Sequence, residues 1–413
     1  MKMYHIADIH ADDNNLDEVK KCCTAIQVRA EEEEPDLIVI AGDVFNSRYV
    51  RLDSEACKYI FWTISYMAEI APVAIVAGTP SHEGHAPETL YFAGNYNHNV
   101  YVATSPDQAC LKDGRLSPLF SNADKDVDAI ISFMPTPTKQ FFQTELGILE
   151  SNDQVANALS PIFAGFGAKA SEYDCPHILM GHFSVRGAAI SDAQVMIGMD
   201  IEIGKDQIGL ANPDLVCLGH IHKAQFLAPN IYYSGSVFRT DFGEVEDKGF
   251  YRHDLTLNTY GGYTVDSEFI PTPSRKLITV REDFTESDIR EIDTTLYSLS
   301  PDEIEGSHIR VYLKVYQDEA VHISKEQLEE FYMSAGAESA TVNIIHVPRE
   351  NVRSEQILKL DRLRDKIREM AALKDEEVDE SILAKADLLE SEPEDSILTQ
   401  VANGYHDSGL SAS

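Results

Sequence analysis

Five short motifs, each directly after a run of apolar residues, constrain this chain more than any other feature. In chain order they are Asp8-Ile-His10, Gly42-Asp43, Gly78-Thr-Pro-Ser-His82-Glu83, Gly181-His182 and Gly219-His220-Ile-His222. Short apolar runs that alternate with helical patterns predict the strands of a layered α/β fold. Functional groups of such folds gather beyond the carboxyl ends of the strands, so we expect the five motifs to meet at one edge.

The side chains of these motifs form a set of metal ligands. Asp8 and His10 are two residues apart, so an extended backbone would place both on one face. His220 and His222 repeat that spacing, and Asp43 adds a carboxylate that can bridge two cations. Mixed nitrogen and oxygen donors suit manganese, iron or zinc better than magnesium or calcium. The pattern favours a pair of divalent ions, which can hold a phosphoryl group and generate a hydroxide.

Periodicity divides the chain into three predicted parts. In the first half we expect strands at residues 3–9, 36–41, 73–77, 128–133, 177–180 and 215–218, with helices at 15–30 and 54–69. Strands and turns at residues 225–270 predict a second sheet that closes a sandwich. Beyond the linker Pro271-Thr-Pro273-Ser, strands at 276–280, 308–316 and 340–347 and helices at 286–299 and 325–333 predict a small α/β cap domain. Helices at 354–373 and 381–389 follow, and the acidic, then small and polar end is expected to be flexible.

Charge and cysteine usage limit the classes of function. The chain has 34 basic and 69 acidic residues, a net charge of −35, so it cannot grip nucleic acid by its overall charge. An anionic substrate needs metal ions, local positive charge or a second protein, although the acidity can also serve solubility alone. The six cysteines form no Cys-x-x-Cys pair and are expected to be core thiols of a reducing compartment. The sequence shows no apolar run long enough for a membrane span and no signal peptide, so we expect a cytoplasmic protein. It also shows no Gly-x-x-x-x-Gly-Lys-Ser/Thr loop, so we do not expect the chain to be a P-loop ATPase itself.

The order of the motifs resembles that of the calcineurin-like metallophosphoesterases: Asp-x-His, Gly-Asp, Gly-Asn-His-Asp/Glu, Gly-His and Gly-His-x-His. The resemblance covers residues 1–255 and implies an α/β fold in which helices flank a two-sheet sandwich. It also implies that His82 contacts the phosphate and assists the leaving oxygen. It implies two metal ions, one held by Asp8, His10, Asp43 and His222 and the other by Asp43, His182 and His220.

One departure from the family pattern lies in the third motif. The family has a single metal-ligating Asn between Gly and His, whereas Thr79-Pro80-Ser81 lies between Gly78 and His82 here. By spacing from His82, Ser81 takes the position of the Asn ligand, with Thr79 or water as the alternatives. Glu83 stands where the family has Asp or Glu and is expected to orient His82.

A narrower resemblance is carried by Tyr233-Ser-Gly-Ser236, Arg239, Phe242-Gly-Glu244 and Lys248-Gly-Phe250. These residues look like the end of the nuclease domain in SbcD-type DNA repair exonucleases. The predicted layout is also similar: a nuclease domain at residues 1–270, an α/β cap domain at 274–348 and a helical partner-binding segment at 349–413. The resemblance implies a manganese-dependent DNA exonuclease and endonuclease. It also implies an SbcC-type ABC ATPase partner and a homodimer within a heterotetramer.

Several alternatives remain open at this point. The resemblance to SbcD-like proteins implies that the helix at residues 354–373 docks on the ATPase. Alternatively, this helix could pack on the cap domain of its own chain. The helix at 54–69 is a candidate dimer interface or a core helix. The same metal centre could serve a phosphoesterase acting on small molecules or phosphoproteins, and the altered Asn position could leave a weakly active scaffold. His5 and His177, inside predicted strands, are expected to be structural.

Overall fold

The computed structural model describes residues 1–119, 124–138, 152–191, 194, 201–285, 299–348, 357, 359–372, 376–393 and 396–397. Within this part of the chain, no helix is both long enough and apolar enough to cross a membrane. Contacts along the chain divide it into two compact units. One comprises Met1–Leu313 and Ser324–Ile344, and the other Lys314–Ile323 and the described part of Ile345–Ser413.

The described residues form eighteen β-strands. They are β1 (Lys2–Ile6), β2 (Leu37–Ala41), β3 (Val73–Val76), β4 (Val100–Ala103), β5 (Asp107–Lys112), β6 (Arg115–Pro118), β7 (Ala129–Met134), β8 (His177–His182), β9 (Ser184–Val185), β10 (Glu202–Ile203), β11 (Leu215–Gly219), β12 (Gln225–Ala228), β13 (Ile231–Tyr233), β14 (Gly249–Leu257), β15 (Tyr263–Pro271), β16 (Lys276–Asp283), β17 (Ser307–Tyr316) and β18 (Ser339–Val347). Every residue of β2, β3, β7, β8 and β11 is buried, as expected for strands covered on both faces.

Helices connect and flank the strands. They are α1 (Leu16–Glu33), α2 (Glu55–Ile70), α3 (Pro80–Glu83), α4 (Asn152–Ala170), α5 (Lys205–Gly209), α6 (Pro301–Ile304), α7 (Lys325–Ser334), α8 (Leu363–Ala372) and α9 (Glu380–Ser391), with 3₁₀ helices at Ala86–Ala93 and Ala320–His322. α2 begins where the Ser54 side chain accepts a hydrogen bond from the backbone N–H of Cys57, and α1 ends at Glu34 in the left-handed conformation.

Two sheets pack face to face. The first has the strand order β15-β14-β1-β2-β3-β4, and the second has the order β12-β13-β11-β8-β7-β5-β6. An apolar cluster that includes Met3, Val39, Met180 and Cys217 fills the space between them. α1 and α2 cover the outer face of the first sheet, and α4 covers that of the second. The predicted two-sheet sandwich flanked by helices is therefore confirmed.

The segment at residues 225–270 corrects one expectation. It does not form the second sheet by itself: β12 and β13 complete the edge of the second sheet, whereas β14 and β15 extend the first. β14 belongs to the first sheet because it pairs antiparallel with β1, with Lys2 opposite Asp254. Alternating polarity shows that a segment is a strand but not which sheet accepts it, because pairing depends on distant residues.

The remaining elements follow the predicted order. β16, β17 and β18 form a three-stranded sheet, and α7 lies between β17 and β18 in the chain. The helix expected at residues 286–299 falls almost wholly outside the described residues, and the three domain boundaries stay a prediction. In the second unit, α8 packs against α9, where Ala371, Leu383 and Ala386 are buried. The guanidinium group of Arg364 forms ion pairs with Asp387 and Glu380 across these two helices.

The two sheets lie in close contact at Gly219, the last residue of β11. A Cβ atom there would lie 2.0 Å from the carbonyl oxygen of Ala41 and 2.9 Å from the Cβ of Ala7. We expect Gly219→Ala to lower the free energy of unfolding by about 1–3 kcal/mol, because the sheets must separate to admit the methyl group. Urea unfolding followed by circular dichroism measures this change.

Gly165→Ala is the matched control. Gly165 is exposed inside α4 and a Cβ there meets nothing within 4 Å, so this variant should gain about 0.5–1 kcal/mol. Equal effects of the two substitutions would contradict the close approach of the sheets.

Candidate metal centre

The five motifs meet at one edge of the sandwich. β1, β2 and β3 run parallel in the first sheet, and β8 and β11 run parallel in the second, so their carboxyl ends lie together. Asp43, His82 and His220 lie in the connections that follow β2, β3 and β11, and His182 is the last residue of β8. The expected convergence of the motifs is therefore what the fold produces.

The backbone at the first motif differs from the expected extended form. β1 ends at Ile6, and both Asp8 and His10 adopt left-handed conformations, with φ of 51° and 46°. Asp43, with φ of 48°, does the same. Left-handed backbone is strained for residues other than glycine and needs support from its surroundings. The support comes from hydrogen bonds, since the N–H groups of Asp8 and His10 donate to the carbonyl oxygens of Gly42 and Asp43 at 3.1 and 2.9 Å.

The carboxylate of Asp43 lies in the middle of the cluster. Its Oδ2 atom is 2.9 Å from Nδ1 of His82, 3.2 Å from Nε2 of His182 and 3.8 Å from Nε2 of His10. Nδ1 of His182 donates to the carbonyl oxygen of Ala41 at 2.7 Å, which turns its Nε2 atom toward Asp43. The carboxylate of Asp43 thus contacts residues at the strand ends of both sheets.

The other aspartate joins the histidines of the fifth motif. Asp8 accepts the backbone N–H of His220 with both carboxylate oxygens, at 3.0 and 3.1 Å. The ring of His220 lies 5.2 Å from the ring of His182, centroid to centroid. Nε2 of His222 lies 3.0 Å from Nε2 of His10. The seven predicted Asp and His residues of the site are therefore brought together.

This donor set fits divalent metal ions. Three groups each place their ligand atoms within 4.8 Å of one another: Asp8, His10 and His222; His10, Asp43 and His82; and Asp8, Asp43 and His182. Asp8 and Asp43 are both buried, and the ion pairs found for them within the described part of the chain are with histidines. Two buried carboxylates without Lys or Arg partners are costly, and divalent cations would remove that cost.

The pKa values reflect this crowding of charge. Burial raises the pKa of Asp8. Burial also acts to raise the pKa of Asp43, but the charge of His182 and the hydrogen bonds from His182 and His82 hold it well below its usual range. The hydrogen bond to Asp43 raises the pKa of His82. Burial and the attraction between neighbouring charges therefore act in opposite directions on the groups of this cluster.

In the third motif, the side chain beside the cluster is that of Thr79. Its hydroxyl lies 3.3 Å from Nε2 of His182, and its backbone N–H donates to Asp43. Ser81 is exposed on the first turn of α3. The helix begins directly after Thr79, so the two extra residues rotate Ser81 outward, although its spacing from His82 matches that of the family's Asn.

Glu83 does not orient His82 as expected. The side chain is buried and accepts the backbone N–H groups of Val44, at 2.8 Å, and of Gly78. It therefore connects the loop after β2 with the loop after β3. Burial raises the pKa of Glu83 to about 8. Asp43 itself holds His82.

A buried pair behind His222 was assigned no role from the sequence. Oε1 of Glu244 accepts a hydrogen bond from Nδ1 of His222 at 3.1 Å, and Nζ of Lys248 lies 3.2 Å from the same oxygen. Lys248 also donates to the carbonyl oxygen of His222 at 2.9 Å. Burial acts to raise the pKa of Glu244, but His222 and Lys248 lower it to about 2. Glu244 thus fixes the ring of His222 and presents its Nε2 atom to the cluster.

Gln194 supports the same motif from a different segment. Its Nε2 group donates to the carbonyl oxygen of His220 at 2.6 Å, and its Oε1 atom accepts the N–H of His222 at 3.0 Å. Phe242-Gly-Glu244 and Lys248-Gly-Phe250 stood out in the sequence as part of a resemblance, which was the available signal for Glu244 and Lys248. Nothing in the sequence pointed to Gln194.

Comparison with known proteins agrees with this geometry. The sequence profile described as calcineurin-like phosphoesterase matches residues 1–224, more than half of the chain. The chain belongs to the calcineurin-like phosphoesterase family. Members of this family use a dimetal centre, and the chain is a metal-dependent phosphoester hydrolase.

Two further comparisons concern individual proteins. A curated relative, the SbcD subunit of the SbcCD nuclease of Staphylococcus epidermidis, is 24% identical over 300 residues, which cover 69% of this chain and 73% of the relative. The resemblance to SbcD-type proteins is thereby confirmed. Among solved structures, a dimetal phosphatase from Danio rerio is 10% identical with a TM-score of 0.37, covering 65% of this chain and 98% of that chain.

The contact between Glu244 and His222 gives a testable prediction for this phosphoesterase. Glu244→Gln removes the negative charge that orients His222, so we expect manganese affinity to fall by about 10-fold or more. Isothermal titration calorimetry measures the change. Glu246→Gln is the matched control, because Glu246 contacts Lys248 at 3.0 Å but was not found in contact with His222. Unchanged manganese affinity in a folded Glu244→Gln protein would contradict the assigned role.

Proposed function

We propose that the chain is a manganese-dependent DNA exonuclease and endonuclease, the nuclease subunit of an SbcCD-like complex that processes DNA ends. The observation that carries the proposal is the extent of the similarity to the SbcD relative. It spans 300 residues, whereas the family profile matches only residues 1–224. The similarity therefore continues beyond the part that calcineurin-like phosphoesterases share.

Seven residues are proposed to hold two metal ions. Asp8, His10, Asp43 and His222 would hold one ion, and Asp43, His182, His220 and the hydroxyl of Thr79 would hold the other. Thr79 takes this role in preference to Ser81 because its hydroxyl lies beside His182 and Ser81 is exposed. When bound, such ions neutralise phosphate charge and supply a hydroxide nucleophile.

His82 is proposed as the residue that protonates the leaving sugar oxygen. Its Nδ1 group donates to Asp43, which fixes the ring and raises the pKa of the side chain. The imidazolium form therefore persists to higher pH than that of a free histidine, and Nε2 is the atom that transfers the proton. The side chain is 42% exposed, so a substrate can reach it.

The net charge of −35 supports the need for a partner. A chain this acidic holds DNA weakly outside its metal centre. We propose that an SbcC-type ABC ATPase supplies the remaining DNA contacts and binds the helices at the carboxyl end. α8 and α9 expose the apolar side chains of Met370, Ile382 and Leu389, which suit such an interface. A homodimer within the complex is part of the same proposal.

The activity is tested on end-labelled single- and double-stranded DNA with manganese. The wild-type chain should degrade DNA, and Asp43→Ala should abolish cleavage because it removes the ligand shared by both ions. His82→Ala should lower the rate on DNA by about 100-fold or more, since the sugar oxygen leaves poorly without a proton. The same variant should lose little activity on bis(p-nitrophenyl) phosphate, whose leaving group needs no acid.

Other outcomes separate the alternatives. Turnover of the aryl diester with DNA untouched, even after the ATPase partner is added, would favour a phosphoesterase of small molecules or phosphoproteins. Manganese binding without turnover of either substrate would favour a scaffold. Equal losses of His82→Ala on both substrates would contradict the role of His82 as the acid.

The choice between Thr79 and Ser81 is tested separately. Thr79→Val keeps the shape of the side chain but removes the hydroxyl, so we expect the weaker of the two manganese affinities to fall by about 10-fold. Ser81→Ala should bind manganese as the wild type does. Manganese titrations of both variants measure this difference, and the reverse order would return the role to Ser81.

A further inference from the structure

Three buried ligand-type side chains lie together between the two sheets, apart from the residues assigned above. They are His5 in β1, Cys217 in β11 and His253 in β14, and their ligand atoms lie within 4.8 Å of one another. His253 pairs with Met3 across β1 and β14, so His253 and His5 share one face of the first sheet as diagonal neighbours. Cys217 belongs to the cluster that fills the space between the sheets.

The outer nitrogen of each imidazole has an acceptor within reach. Nε2 of His5 lies 3.1 Å from the carbonyl oxygen of Leu218, which can only accept, so this nitrogen carries the hydrogen. In the neutral ring, Nδ1 of His5 then carries a lone pair. Nδ1 of His253 lies 2.7 Å from Oγ of Ser267. An outer N–H bonded to a carbonyl or hydroxyl oxygen is the arrangement that orients metal-binding histidines.

The inner nitrogens face each other. Nδ1 of His5 and Nε2 of His253 are 3.4 Å apart, which is long for a hydrogen bond. Two nitrogens bound to one zinc ion at about 2.05 Å would be 3.4 Å apart at an angle of about 110°, close to tetrahedral. The separation therefore suits a shared ion.

The protonation states agree with this geometry. Burial lowers the pKa of His5 to about 3 and lowers that of His253 well below its usual range, so both rings are neutral, the form that binds metals. Burial also raises the pKa of the Cys217 thiol, and a bound metal ion reverses this by stabilising the thiolate.

We propose that His5, Cys217 and His253 form a separate structural metal site that links the two sheets and takes a thiolate-binding ion of the zinc class. Two imidazoles and one thiolate are typical ligands of zinc, and water can take the fourth position. The ion enters during folding, because the three side chains are buried in the folded chain. This site does not depend on the proposed nuclease activity.

Cobalt substitution of the full-length protein tests the proposal. The proposed dimetal centre offers only nitrogen and oxygen donors. Cobalt bound there therefore cannot produce a thiolate-to-cobalt charge-transfer band in the near ultraviolet. Protein produced in cobalt-supplemented medium should show this band. Cys217→Ser should abolish the band, and elemental analysis of zinc-grown protein should show about one metal equivalent fewer than in the wild type.

Cys23→Ser is the matched control, since Cys23 is equally buried but lies in the cluster under α1. It should keep both the band and the zinc content. His253→Gln provides a second variant with an uncharged side chain, and it should weaken the band if the fold, followed by circular dichroism, is retained. Absence of the band in wild-type protein, or its persistence in Cys217→Ser, would overturn the site and leave a hydrogen-bonded pair of histidines.

Discussion

The carboxylate of Asp43 is the contact on which the rest of the site depends. It is buried and lies within 3.8 Å of ring nitrogens of His10, His82 and His182. These three side chains come from the connections after β1 and β3 and from the end of β8, so one charge holds segments of both sheets. A buried carboxylate is costly without hydrogen bonds or positive partners, which the histidines of the surrounding loops and a bound cation can supply.

The sandwich makes this contact possible by bringing its two sheets into close contact at the end where the motifs lie. Gly42 and Gly219 leave no room for a side chain: a Cβ on Gly42 would lie 2.2 Å from Nδ1 of His182. The strained, left-handed backbone of Asp8 and His10 is kept by hydrogen bonds to the loop after β2. The backbone strain at the site is thus offset by the packing of the sheets behind it.

The proposed second site would also hold the two sheets together, but from within the strands. The proposed dimetal ligands lie at or just beyond the strand ends, whereas His5, Cys217 and His253 lie within strands of both sheets. An ion there would connect β1 and β14 to β11 through bonds rather than apolar contact alone. The loops after β1 and β11 present several of the proposed dimetal ligands, so the two proposed sites share these two supporting strands.

Local sequence patterns predicted α1, α2 and the strands that precede the five motifs, and the motif order indicated the seven aspartates and histidines of the site, because periodicity and strand-end position are local properties. They gave no prediction for α4, β4, β5 and β6. Spacing placed Ser81 at the position of the family's Asn, whereas α3 turns Ser81 outward and leaves Thr79 beside His182. It also missed Glu244, Lys248 and Gln194, which act through contacts made only in the folded chain. The tertiary structure alone decided that β14 joins the first sheet and that His5 meets residues more than 200 positions away. No local pattern encodes such contacts, because they depend on which distant strands pair.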